Sequence, residues 1–133
     1  MTLERPINDL LSEINFNDHG LIPAIAQQHD TNEVLMLAWM NSDAVIETLR
    51  TQDVCYWSRS RKTLWRKGES SGMKQKLIEF RWDCDADTVL LLVEQTGVAC
   101  HTGRRSCFFR ALRNNSTQII ASPRIDSSKL YDE

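Results

Sequence analysis

Two short apolar runs, Leu21–Ala26 and Val34–Met40, flank the turn-rich stretch Gln28-His29-Asp30-Thr31-Asn32. Runs of this length bounded by turn residues read as two strands joined in a hairpin. The same punctuation continues along the chain. Val54–Ser58, Thr63–Arg66, Lys76–Trp82, Thr88–Glu94 and Cys107–Leu112 read as further strands, with Gly68, Gly72, Gly97 and Gly103 in the loops between them. Asn41 or Ser42 is placed to cap a helix from about Asp43 to Thr51, with Asp43 and Glu47 toward its positive end and Ala44, Val45, Thr48 and Leu49 facing inward. Residues 1–14 carry Ile7, Leu10, Leu11 and Ile14 at loosely helical spacing and read as a short helix. The expectation is a sheet-dominated α+β domain with one main helix. A chain of 133 residues holds one such domain. It is divided here into an N-terminal segment (1–17), the domain (18–112) and a polar C-terminal tail (113–133).

Hydrophobic residues make up 41% of the chain, enough for a packed core, which excludes a wholly disordered protein. No apolar run approaches the roughly 20 residues that span a bilayer. The first 14 residues carry Glu4, Asp9 and Glu13 and lack the basic start and apolar stretch of a signal peptide. A cytoplasmic protein with no membrane partner is expected. The net charge of −2 conceals an asymmetry: residues 1–50 hold two cations against eight carboxylates, and residues 51–133 hold 14 against 10. A basic half within a near-neutral chain suggests a local anion site rather than a surface that coats nucleic acid.

The four cysteines are Cys55, Cys84, Cys100 and Cys107. Disulfides need an oxidising compartment, and in a reducing one clustered thiols more often bind metal or do chemistry. Cys55, in the run Val54-Cys55-Tyr56-Trp57, reads as a small buried hydrophobe. The other three lack the paired CxxC spacing of a zinc finger.

Asp83-Cys84-Asp85-Ala86-Asp87 places three mutually repelling carboxylates within five residues. If the stretch is extended, the Asp side chains share one face and Cys84 the other. Carboxylates suit Mg²⁺ or Mn²⁺ and a thiolate suits Zn²⁺, so one segment can serve two metals. The alternative is a solvated acidic turn between two strands. In the second unusual stretch, residues 98–107, Cys100 and Cys107 flank His101, Gly103, Arg104 and Arg105. Three thiolates can hold Zn²⁺ and leave a fourth position open, as catalytic sites do. They also weaken the metal as a Lewis acid, so a base and cations must compensate. His101 fits the base and Arg104 and Arg105 the cations, although a loop histidine with one backbone hydrogen bond is the plainer reading.

Residues 56–68, YWSRSRKTLWRKG, contain five cations and no carboxylate. Arg59, Arg61, Arg66 and Lys67, with Ser60, supply donors for phosphate, and Trp65 offers a stacking face for a base. Ser71, in the small polar run that follows, lets backbone amides approach an anion. Such a stretch suits a nucleotide or an RNA strand equally well.

Together these pieces resemble one family, phosphoribosyl-AMP cyclohydrolase of histidine biosynthesis. The resemblance is carried by Gly20–Ala24, Val34–Asn41, Ser58–Arg61, Trp65–Glu69, Ser71-Gly72, Asp83–Asp87 and Cys100–Phe108, and covers about residues 18–110. Met73 departs from it, since His or Asn is expected after Ser-Gly. The resemblance implies hydrolytic opening of the N1–C6 bond of the adenine ring of phosphoribosyl-AMP by a zinc-activated water. It implies Zn²⁺ on Cys84, Cys100 and Cys107, and Mg²⁺ on Asp83, Asp85 and Asp87. It also implies an intertwined homodimer in which Cys84 completes a site built by the partner's Cys100 and Cys107. A zinc-stapled RNA-binding module is the alternative of a different class, disfavoured by the near-neutral charge and the missing fourth cysteine. The H-x-E…P-C-x-x-C signature of a nucleobase deaminase is absent.

Overall fold

The computed structural model describes residues 3–130. Helix α1 (Glu4–Glu13) leads into the hairpin β1 (Ile22–Gln28) and β2 (Val34–Met40). Helix α2 (Ser42–Thr51) follows, then β3 (Cys55–Ser58), β4 (Thr63–Arg66), β5 (Gln75–Trp82) and β6 (Val89–Gln95). A second hairpin, β7 (Arg110–Arg113) and β8 (Ser116–Ile119), and the short α3 (Ser127–Leu130) complete the chain. Strands β1 to β6 form one sheet in the order β4-β3-β2-β1-β6-β5. All neighbours in it are antiparallel except β1 and β6, which run parallel with Ala24 opposite Val89 and Gln28 opposite Val93.

Alternation decides what the sheet buries. Ile22, Ala24, Ala26 and Gln28 of β1 lie on one face with Val89, Leu91, Val93 and Gln95 of β6, and all eight are buried. Ala44 and Val45 of α2, together with Ile14 after α1, join this face in a single apolar cluster. The opposite face carries the cross-strand row Leu37–Ile25–Leu90, which is only partly covered; Leu37 is 45% exposed.

Helix α2 starts where Asn41 can cap it: Asn41 Oδ1 accepts from the Ala44 amide at 2.8 Å, a bond worth about 1 kcal/mol. It ends at Gln52, whose left-handed φ of 65° lets its amide reach back to the Thr48 carbonyl. Among the described residues no helix is long and apolar enough to cross a membrane.

Two expectations need correction. Among the described residues there are two ten-residue helices rather than one main helix: α1 buries Ile7 and lays Leu10 and Leu11 against the core, while α2 buries Ala44, Val45 and Thr48. The last strand is not Cys107–Leu112: the Cys107 amide donates to the Leu35 carbonyl and Ser106 Oγ to the Val34 carbonyl, so this segment turns against β2. Pairing begins only at Arg110, through the left-handed two-residue turn Asn114-Asn115 (φ 51° and 62°). The polar tail is therefore ordered into β8 and α3, with Leu130 buried. Residues 131–133 and residues 1–2 lie outside the described residues.

Candidate active site

The basic-aromatic stretch forms the β3–β4 hairpin, in which Tyr56 stands opposite Trp65 with ring centroids 5.4 Å apart. Behind it, Gly68 (φ +80°) brings the loop so close to Lys74 that a Cβ would lie 2.5 Å from the Lys74 amide nitrogen. The loop therefore curls back and encloses a cavity of about 660 Å³. Arg61, Trp65, Lys67, Ser71 and His101 line it together, with Arg66 at its margin. All the other lining residues thus come from one hairpin and its following loop, while His101 arrives from the distant loop after β6.

Not all the expected phosphate ligands converge. Arg59 leaves the cavity and lies over the Trp39 ring, 4.8 Å from its centroid, on the other side of the hairpin. Ser60 sits in the turn, its Oγ 3.4 Å from that of Ser58. Arg66 is held by Glu47 of α2 at 3.1 Å, and this hydrogen-bonded carboxylate raises the guanidinium's pKa further. Arg61 keeps its side chain available at the rim while its amide donates to Ser58 Oγ.

Cys100 and Cys107 flank one loop, and each thiol influences the other. Burial pulls the Cys100 thiol upward, but hydrogen bonds from Thr102 (3.0 Å between Sγ and Oγ1) and Cys107, with the charge of Arg104, outweigh it and hold the thiol below its ordinary value. Cys107 is pushed up to about 12, first by desolvation and then by the Cys100 charge, with Lys67 acting in the opposite sense. In this pair Cys100 is the readier thiolate. Cys55 is fully buried, as a small hydrophobe would be.

Cys84 is elsewhere. It is exposed in the β5–β6 loop, before the start of β6, whereas Cys100 and Cys107 lie beyond its end. Strand β6 has seven residues, which at about 3.3 Å per residue sets the two ends roughly 20 Å apart. Within one chain the three thiols do not meet.

The acidic run is not extended. The Ala86 amide donates to the Asp83 carbonyl, Ala86 adopts φ 63°, and Asp83 Oδ1 accepts from the amides of Asp87 and Thr88. This tight turn, rather than strand alternation, brings carboxylate oxygens of Asp83, Asp85 and Asp87 within 4.8 Å of one another. The Asp85 carboxyl is raised above its ordinary value by its hydrogen bond with Asp87 and by the charges of Asp83 and Asp87.

The cations of the loop after β6 have partners of their own. Arg105 donates to the carbonyls of Gly97 (2.7 Å) and Gln95 (3.1 Å) and reaches Glu33 at 3.3 Å. Arg104 donates to the Ala121 carbonyl at 2.8 Å and stacks 4.0 Å over Phe109. Both brace the loop that carries Cys100 and His101. Gly103 (φ +85°) fastens the same loop to the tail, and a Cβ there would meet the Ile125 carbonyl oxygen at 1.8 Å. Met73, the departure noted in the sequence, packs its sulfur over Gly97, where a Cβ would stand only 2.2 Å from it.

Sequence reasoning missed the buried polar chain beneath the cavity. The Tyr56 hydroxyl donates to Gln75 Oε1 at 2.7 Å, and Gln75 Nε2 donates to Gln95 Oε1 at 2.9 Å. Gln95 Nε2 in turn donates to the carbonyls of Met73, Thr96 and Val98. The available signal was glutamine at inward-facing strand positions, where an apolar residue belongs.

The profile of the phosphoribosyl-AMP cyclohydrolase family matches residues 36–109. The chain is 60% identical over 127 residues to the phosphoribosyl-AMP cyclohydrolase of Alkalilimnicola ehrlichii, covering 96% of this chain and 89% of the relative. It is 61% identical over 126 residues to that of Granulibacter bethesdensis, covering 94% and 98%. Against that of Halorhodospira halophila it is 62% identical over 122 residues, covering 92% and 86%.

Proposed function

The chain belongs to the phosphoribosyl-AMP cyclohydrolase family of hydrolases, and on that premise we propose that it opens the adenine ring of phosphoribosyl-AMP as a cytoplasmic homodimer. Water adds to C6, the N1–C6 bond breaks, a proton passes to N1, and C6 becomes a carboxamide carbon. The observation that carries this reading is the convergence of His101 with the cationic-aromatic hairpin on one cavity, whose Lys67 is bonded to the Ala99 carbonyl next to Cys100.

Donor chemistry fits two cations. Two cysteines on one loop of one chain, with an exposed thiol beyond the opposite end of β6, suit a Zn²⁺ held by Cys100 and Cys107 of one subunit and Cys84 of another. Three crowded carboxylates suit Mg²⁺ on Asp83, Asp85 and Asp87, since a cation relieves the repulsion that raises Asp85. Zinc when bound supplies Lewis-acid activation of water. His101 accepts the proton released as water attacks, Trp65 lies against the base, and Arg61 and the Ser71 region receive phosphate. Arg104 and Arg105 hold the loop that presents His101.

A second subunit is further supported by apolar surface left uncovered. The row Leu37–Ile25–Leu90 is one such surface, and Phe108 (58% exposed) and Leu112 (74%) are likewise left open.

Incubating zinc-loaded, magnesium-supplied protein with phosphoribosyl-AMP and following the absorbance of the opened imidazole tests the reading. Ring opening with one zinc per chain is expected. Intact substrate after such an incubation overturns it.

A further inference from the structure

Lys67 follows β4 and is only 8% exposed, an unusual place for a lysine unless something compensates its charge. Among the described residues no carboxylate lies within ion-pairing distance of it. Its ammonium instead donates to the Ala99 carbonyl at 2.7 Å and stands 5.5 Å from the centroid of the Trp65 ring. A carbonyl and an indole face offer partial charge, not a counter-ion. Ala99 immediately precedes Cys100, which places the ammonium beside the thiol-bearing loop, and the burial that lowers the ammonium's pKa is opposed by the charges of Cys107 and Cys100.

A divalent zinc with three thiolates carries one net negative charge. In a partly buried site that surplus is unfavourable unless a cation stands beside it. We infer that Lys67 is the fixed counter-cation of the zinc–thiolate centre and, through its bond to Ala99, a positioning residue for Cys100. This rests on the zinc reading above. It also reassigns Lys67 from the phosphate role suggested by the sequence: its head is engaged by the Ala99 carbonyl next to Cys100, leaving Arg61 for phosphate. Arg104 is the other cation acting on Cys100, but its guanidinium is engaged by the Ala121 carbonyl and the Phe109 ring. Arg104 therefore adds a field without closing on the pair.

The two parts of the inference, charge and hydrogen bond, separate by substitution. Lys67→Gln keeps a donor for Ala99 without charge, Lys67→Met removes both, and Lys67→Arg keeps both. The zinc dissociation constant of each is measured by competition with a chromophoric chelator. Cobalt-substituted protein is examined for thiolate-to-metal charge-transfer bands, and the metal-free variants are checked by circular dichroism. K67Q and K67M are expected to bind zinc about 10–100-fold more weakly than the parent, the usual effect of losing a group that supports metal ligands. K67R is expected to restore most of the affinity and the cobalt spectrum. Parent-like affinity in a folded K67Q overturns the counter-cation role. So does a folded K67R that binds as weakly as K67M, which decides the matter where K67Q does not fold. A parent protein that takes up no zinc, or whose cobalt form lacks thiolate bands, overturns the zinc reading itself and is recognised before any variant is compared.

Discussion

Cys84 and Cys100 stand off opposite ends of β6, so the strand that joins them in sequence holds them apart in space. A centre that uses both must draw on two copies of the chain, each giving its Cys84 to the other.

Mixed dimers test this directly. Cys84→Ser and Cys100→Ser are each expected to abolish activity and zinc binding at the thiol site. Co-refolded together, they produce dimers in which one site receives both serines and the other receives none. Each such mixed dimer is expected to recover half the parent activity and one zinc. Mixtures that remain dead assign the thiols wrongly.

His101 faces the cavity and is the base in the proposed reaction. His101→Asn is expected to keep the zinc content and the dimer while lowering kcat by roughly 10²–10⁴-fold, the span of a lost general base. Metal analysis and kinetics on the same preparation check it. Full activity with zinc retained removes His101 from the reaction.

Gly103→Ala forces a left-handed backbone onto a residue with a Cβ and drives that atom into the Ile125 carbonyl. A loss of about 2–3 kcal/mol is expected from the backbone strain and the displaced tail. Zinc affinity should also weaken, because residues 100–107 lose their anchor to the amides of Arg124 and Ile125. Denaturant unfolding with and without EDTA separates the two effects.

Glu94 accepts from Gln28 Nε2 at 2.9 Å and pairs with His29 Nε2 at 3.0 Å, and these bonds, the Gln28 one foremost, hold its carboxyl below the usual value of 4.5. A carboxyl lowered in the folded state stabilises the fold above its unfolded pKa and loses that contribution as pH falls through the folded one. Thermal stability should therefore drop as pH falls from about 4.5 downward, and Glu94→Gln should flatten the drop. Parallel slopes for parent and variant would show that the pair contributes nothing.

What could be read from the sequence is what neighbours in sequence determine. The β1–β2 hairpin is announced by two apolar runs around a turn, and α2 by Asn41 at its head. The pairing of β1 with β6 is not announced, because nothing local to Ala24 names Val89 as its partner. The acidic run shows the same limit from another side. Its composition pointed to clustered carboxylates, but the clustering comes from a turn with Ala86 in a left-handed conformation, which alanine does not advertise. The tail looked like a polar extension because its hairpin turn is Asn114-Asn115 rather than the more familiar Asn-Gly, and because Leu130, its one buried anchor among the described residues, is isolated.

The parallel junction between β1 and β6 also orders the assembly of the molecule in time. The hairpins β1–β2, β3–β4 and β5–β6 each close over short loops and can form early. The sheet becomes continuous only when residue 24 finds residue 89, a distant closure that slows folding. On a chain emerging from its N-terminus, the loop bearing Cys100, His101 and Cys107 follows that closure, docks onto β2 through Ser106 and Cys107, and is locked only when Arg124 and Ile125 reach Gly103. The chemistry-bearing segment is thus seated late, between a sheet already complete and a tail still to arrive.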